Sequence, residues 1–195
     1  MKTIKYLFFI ALATLLMAAD CSNKDSEFYN DVFVSSPNLV TVETAAVLER
    51  QVTIVAAIPR FLTVANAANP LDIFKTTGGA NKLIFSFELE KENVDGTWDY
   101  IEFSSSNLTT FLGESEVGSF VLGKCVYNAG KNIYDYQASI QGLSVGNYRL
   151  SFGYNSTISN LVEFRSESVG NNLFLNLNSP TSLVDTNGYY KFTIN

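Results

Sequence analysis

Residues 82–103 read KLIFSFELEKENVDGTWDYIEF, and this stretch limits the fold more than any other in the chain. Leu83, Phe85, Phe87 and Leu89 alternate with Ile84, Ser86, Glu88 and Glu90. A period of two places one set on each face of a strand, whereas a helix needs a period near 3.6. Asn93 to Gly96 then supply a turn, with Asp95-Gly96 as its hairpin signal. On the return strand Ile101 and Phe103 continue the apolar face, which leaves Trp98, Tyr100 and Glu102 on the other. The nucleus of this chain is therefore an antiparallel hairpin with one face in the core.

The same alternation recurs in NIYDYQASIQGLSVGNYRLSFGY, residues 132–154. Tyr134, Tyr136, Ala138 and Ile140 share one face of the first strand; Tyr148, Leu150, Phe152 and Tyr154 share one face of the second. Further strands are expected at 39–44, 51–58, 119–127, 159–165, 172–178 and 188–194, the last entered through the Asp185–Gly188 turn. The alanine-containing stretches 44–50 and 61–68 are candidates for a short helical turn. Fifteen Phe and ten Tyr among many Asn, Ser and Thr favour strands and turns over helices. At 195 residues the chain suits one domain, expected at 39–195, and about ten strands make an all-β sandwich the expected architecture.

Between the Tyr134–Ile140 strand and the strand opened by Tyr148 lies GLSVGNY, Gly142 to Tyr148. It resembles the tyrosine corner of immunoglobulin-like and fibronectin type III sandwiches, in which a Leu and a turn Gly precede a Tyr opening the next strand. Leu143, Gly146 and Tyr148 occupy the matching positions. The resemblance implies an antiparallel Greek-key β-sandwich of about 8–10 strands, with the Tyr148 hydroxyl bonded to upstream backbone.

The N-terminus reads as an address. Lys2 and Lys5 precede an uncharged run from Tyr6 to Ala19. As a helix that run would span roughly 21 Å, short of the roughly 30 Å hydrocarbon core, so residues 1–20 read as a signal peptide. The seam MAADC resembles a bacterial lipobox with Cys21 as the acylated residue, although Asp20 departs from the usual small residue. The competing reading is ordinary cleavage near Ala18 or Ala19, which leaves Cys21 as a free thiol or paired with Cys125. Ser22 to Glu27 are polar and acidic and are similar to the export tag of surface lipoproteins of Bacteroidota. Residues 21–38 are then a lipid-anchored polar tether, and Cys125 is a buried, unpaired thiol. Taken whole, the chain resembles the small surface-exposed lipoproteins of Flavobacteria and their relatives, which implies an outer-membrane location and an envelope role without naming a ligand.

The chemistry left open is narrow. The chain has no histidine, which removes Ser-His-Asp and Cys-His nucleophile systems and imidazole metal ligands. A net charge of −6 disfavours nucleic acid. Asp95, Asp99 and Glu102, with Glu88 and Glu90 on the partner strand, supply the carboxylates a glycosidase requires, yet they also read as a solvated strand face. Neither ENVDGTWD nor DTNG has the ligand spacing of a calcium loop, and Gly78-Gly79 lacks the strand–glycine–helix setting of a phosphate cradle, so no metal or cofactor is indicated. Trp98 and Tyr100 beside Glu102 form the candidate ligand platform, an aromatic surface suited to stacking on sugar rings. The expectation is a non-enzymatic binding or scaffolding module whose ligand is a polysaccharide or another envelope protein. A histidine-free glycoside hydrolase or lyase, or a purely structural envelope protein, is the alternative. If Cys21 is the lipid site, mass spectrometry of the N-terminal peptide from the native cell envelope will show acyl glycerol on Cys21; an unmodified peptide starting near Ala19 or Asp20 would make the protein a soluble secreted one.

Overall fold

The computed structural model describes residues 29–44, 50–153, 161–168, 171–179 and 184–195. The leader, Cys21, Tyr154, residues 45–49 of the helical turn considered at 44–50 and the first residues of the strand considered at 159–165 lie outside them. Of the described residues, 58% lie in strands and 3% in helix, so the protein is all-β. Fifteen strands are present among them, more than the ten or so expected, because several short pairings carry no periodicity of their own. Thirteen of these strands join in one curled, half-closed sheet, where a sandwich would have divided them between two.

The long strand β6 (Lys82–Glu92) organises this sheet. Leu83, Phe85, Phe87 and Leu89 are all buried, as a period of two requires. Its first half pairs on one edge with β10 (Val121–Asn128) and on the other with β13 (Val162–Ser166). Its second half pairs instead with β12 (Gly146–Ser151) and with the hairpin partner β7 (Trp98–Tyr100). β12 carries β15 (Tyr190–Ile194) on its outer side. Phe85 sits at the centre of an aromatic cluster, edge-on to Tyr136 at 5.0 Å between ring centroids and 5.0 Å from Phe164. Such pairs add about 0.5–1.5 kcal/mol each beyond the area they bury.

From β10 the sheet continues through β11 (Ile133–Ile140) to β3 (Val52–Pro59) and β2 (Val40–Thr44). In the other direction β13 leads to β14 (Asn172–Asn178) and β1 (Tyr29–Ser35). β1 corrects the expected domain start. It lies inside the segment read as a tether, yet it adds Val34 to the core and pairs with β14 along all seven residues. That ladder is parallel, a departure from the antiparallel arrangement expected.

β1 and β2 stand at opposite ends of the sheet but are consecutive in the chain, so residues 36–39 must span the gap between its two edges. Ser179, fully buried, holds that junction: its hydroxyl accepts from the Leu39 and Val40 N–H groups at 3.1 and 3.2 Å and donates to the Val40 carbonyl at 3.2 Å. The Tyr190 hydroxyl donates to the Val42 carbonyl at 3.0 Å and ties β15 to the same edge.

Two insertions complete the sheet. β10 and β11 pair only near their shared turn, at Val126–Asn128 and Ile133–Asp135, and then diverge. β8 (Leu108–Leu112) and β9 (Glu114–Val117), joined through Gly113, fill the gap, β8 pairing with β11 and β9 with β10. The second insertion leaves the end of β3 as β4 (Phe61–Leu62), β5 (Leu71–Asp72) and α1 (Ile73–Thr76), so the helical turn falls at 73–76 and not within 61–68. Arg60 holds it in place, bonded to both carboxylate oxygens of Asp72 at 2.8 Å and stacked against Phe61 and Phe74. Leu62 and Ile73 thereby reach the core and cover one end of the curled sheet.

Gly113, which joins β8 to β9, has φ +75°, and an added Cβ would lie 2.4 Å from the Lys124 carbonyl oxygen. Backbone cannot yield as a flexible side chain can. Gly113→Ala should therefore cost about 2–4 kcal/mol, from left-handed strain and overlap together, read as a lowered urea midpoint. Gly118→Ala, whose nearest obstacle is 3.9 Å away, should leave the midpoint almost unchanged.

Candidate functional site

The surface picked out by the alternation is the outer face of the four strands β7, β6, β12 and β15. Their register aligns Tyr100, Glu90, Arg149 and Lys191 in one row across the sheet. Trp98 and Glu92 are directly paired in the next row, continued by Asn147 and Thr193. Tyr100 is 62% exposed, the bare aromatic ring of this face. Trp98 is only partly exposed, because the Arg149 guanidinium stacks against its ring at 4.5 Å and against the Tyr189 ring at 4.3 Å.

Arg149 is the hub of this face. It donates to both oxygens of Glu90, at 2.5 and 2.9 Å, and Glu90 is buried. That bidentate bond raises the guanidinium above its ordinary range and keeps it charged. In the neighbouring row Thr193 donates to the Asn147 amide oxygen at 2.8 Å, and the Asn147 amide donates to Glu92 at 2.8 Å. The charges of Glu90 and Glu88 push the Tyr100 phenol above its usual value, so it is a neutral hydroxyl at physiological pH. Below the row of Trp98 and Asn147 lies a recess of about 300 Å³ that also takes in Lys191 and Phe192.

Of the three residues expected to form the platform, Trp98 and Tyr100 lie two apart on β7. Glu102 falls beyond the last β7 pair, where the chain turns away; it is exposed and its carbonyl accepts from the Asn107 amide at 2.9 Å. The carboxylates facing Tyr100 are those of β6. The local pattern did not disclose Arg149, Tyr189 or Asn147. The available signal was a single arginine among the outward positions of NYRLSF, between the buried Tyr148 and Leu150.

Two turn carboxylates serve local structure. Asp95 accepts from the Thr97 hydroxyl at 2.6 Å and its N–H at 3.0 Å, which holds the carboxyl below its usual range. In the Asp185–Gly188 turn, burial works against the charge on Asp185, but Lys191 and the Tyr189 and Asn187 N–H groups outweigh it and keep that carboxyl low. Among the described residues no group of three His, Cys, Asp or Glu side chains is placed to hold a metal ion. Cys125 faces the core as a free thiol, and burial pushes it well above its ordinary value.

On the inner side of the same strands, Leu143 and Tyr148 are buried and Gly146 opens β12 at φ +150°. The Tyr148 hydroxyl donates to the Ser144 carbonyl at 2.7 Å, four residues upstream, and its ring stacks on Phe192 at 5.5 Å. The Leu143 N–H donates to the Arg50 carbonyl at 3.1 Å, pinning the turn to the strand that begins at Val52. Comparison with family models, with curated proteins and with solved structures finds no match to this chain.

Tyr148→Phe keeps the stacked ring but removes the bond to Ser144. It should lower stability by about 1–2 kcal/mol in urea unfolding without changing the unfolding slope.

Proposed function

We propose that this chain is a non-enzymatic polysaccharide-binding module of the bacterial cell envelope, anchored to the outer membrane by a lipid on Cys21 and exposed at the cell surface. The observation that carries the reading is the exposed Tyr100 ring, set in a face whose neighbouring side chains are already fixed to one another. A sugar ring packs its C–H face on such an aromatic, and its hydroxyls find acceptors in Glu88 and in the Glu92–Asn147–Thr193 row. Because the stack of Trp98, Arg149 and Tyr189 holds this face rigid, binding orders few side chains and costs little entropy.

The tyrosine-corner bond of Tyr148 supports an immunoglobulin- or fibronectin-like Greek-key ancestry for the strands around it. Against the hydrolase alternative stands the state of the carboxylates. A glycosidase needs a general acid raised toward neutrality, whereas Thr97 holds Asp95, one of the candidate acids, below its ordinary range.

The test is affinity electrophoresis through gels containing neutral polysaccharides. The wild-type chain should be retarded, and Tyr100→Ala should lose roughly tenfold in affinity while unfolding at the wild-type urea midpoint. Equal retardation of the variant would overturn the site, and release of reducing ends on incubation would favour the hydrolase.

A further inference from the structure

A groove of about 690 Å³ lies on another part of the molecule, where β1 and β14 begin and the β4–β5–α1 insertion covers one end of the curled sheet. Its size falls within the roughly 300–1,000 Å³ of small-ligand sites, and barrel mouths are a recurrent place for them. Val32, Val64 and Leu71, each packed partly against the core, make an apolar floor. Around it stand the carboxamides of Asn30, Asn69 and Asn171, all exposed; the Asn171 main-chain carbonyl accepts from the Ser168 hydroxyl at 2.9 Å, while the three side-chain amides have no partner among the described residues.

The charge at this groove is nearly neutralised. Asp72 lines it, but both of its oxygens are occupied by Arg60, and one of them also accepts from the Lys75 N–H. What remains is the exposed Lys75 at the rim, on a protein of net charge −6. A carboxamide offers two donors and an acceptor at one point, the pairing that adjacent hydroxyl groups require. An aliphatic floor suits the C–H face of a pyranose ring, and a surface of negative net charge repels a polyanion.

We propose that this groove is a second ligand site, taking a short neutral oligosaccharide whose ring lies on Val32 and Leu71 and whose hydroxyls bond Asn30, Asn69 and Asn171. The site is separate from the Tyr100 face and does not depend on that reading.

Titration calorimetry on the full chain with maltotriose, mannotriose and xylotriose tests it, with trigalacturonic acid as the anionic control. At least one neutral trisaccharide should bind, with tenfold or greater loss in the Asn30→Ala/Asn171→Ala double variant. In the Tyr100→Ala background, where the outer face no longer contributes, a neutral trisaccharide should still bind, and Ala67→Trp, which fills the groove from an exposed position, should abolish that binding. Circular dichroism keeps a folding defect from passing as lost binding. Three results overturn the proposal: no neutral trisaccharide binds at millimolar concentration, the asparagine double variant binds as wild type does, or trigalacturonic acid binds equally well. Binding lost in Tyr100→Ala but kept in the asparagine double variant would assign the sugar to the outer face and leave the groove without a ligand role.

Discussion

The structure depends on one strand bonded along both edges to four others. β6 joins β10 and β13 through its first half and β7 and β12 through its second, so both parts of the sheet share its backbone. An eleven-residue strand held by four partners, two on each half, is not free to shift register. A slip of one residue would turn Leu83, Phe85, Phe87 and Leu89 out to solvent and bring Glu88 and Glu90 in. Burial of those four side chains is worth about 1.5–3 kcal/mol each, so the register of the core also fixes the register of the outer face. Tyr100, Glu90 and Arg149 are aligned because Leu89 and Leu150 are buried.

Closure of the sheet is a separate problem, met by polar groups. Residues 36–39 carry the chain between the two edges, and Ser179 satisfies two N–H groups and a carbonyl that this crossing leaves unpaired. An unsatisfied buried backbone group costs about 1–3 kcal/mol, so the small hydroxyl counts for more than its area suggests. The β4–β5–α1 insertion plays the matching part at the open end. It plugs the core with Leu62 and Ile73 but leaves a groove beside β1.

On the outer face, charge is organised before any ligand arrives. Glu90 is buried and would be costly without Arg149, whose guanidinium is in turn held against two aromatic rings. Contacts of that kind contribute about 0.5–2 kcal/mol each and restrict the long arginine side chain to one arrangement. Trp98 is therefore engaged within the protein, and the exposed aromatic contact passes to Tyr100.

Much of the strand content was legible locally. The alternation in 82–92, the Asp95-Gly96 turn and the strand at 172–178 are short-range features, and period two assigned Phe103 to the core and Tyr100 to solvent. β1 was not legible, because Tyr29–Ser35 gains its place only by pairing with residues more than a hundred positions away. β8 and β9 were missed for a different reason: β9 pairs with β10 only four to ten positions away, but both strands are short and carry no period-two burial of their own. By itself the sequence determined which side chains face in and which face out, since that follows from backbone geometry between neighbours. The tertiary structure alone decided that Arg149 meets both Trp98 and Tyr189, that β1 lies parallel to β14 and that three asparagines share a groove, because contacts between distant segments depend on how the whole sheet curls.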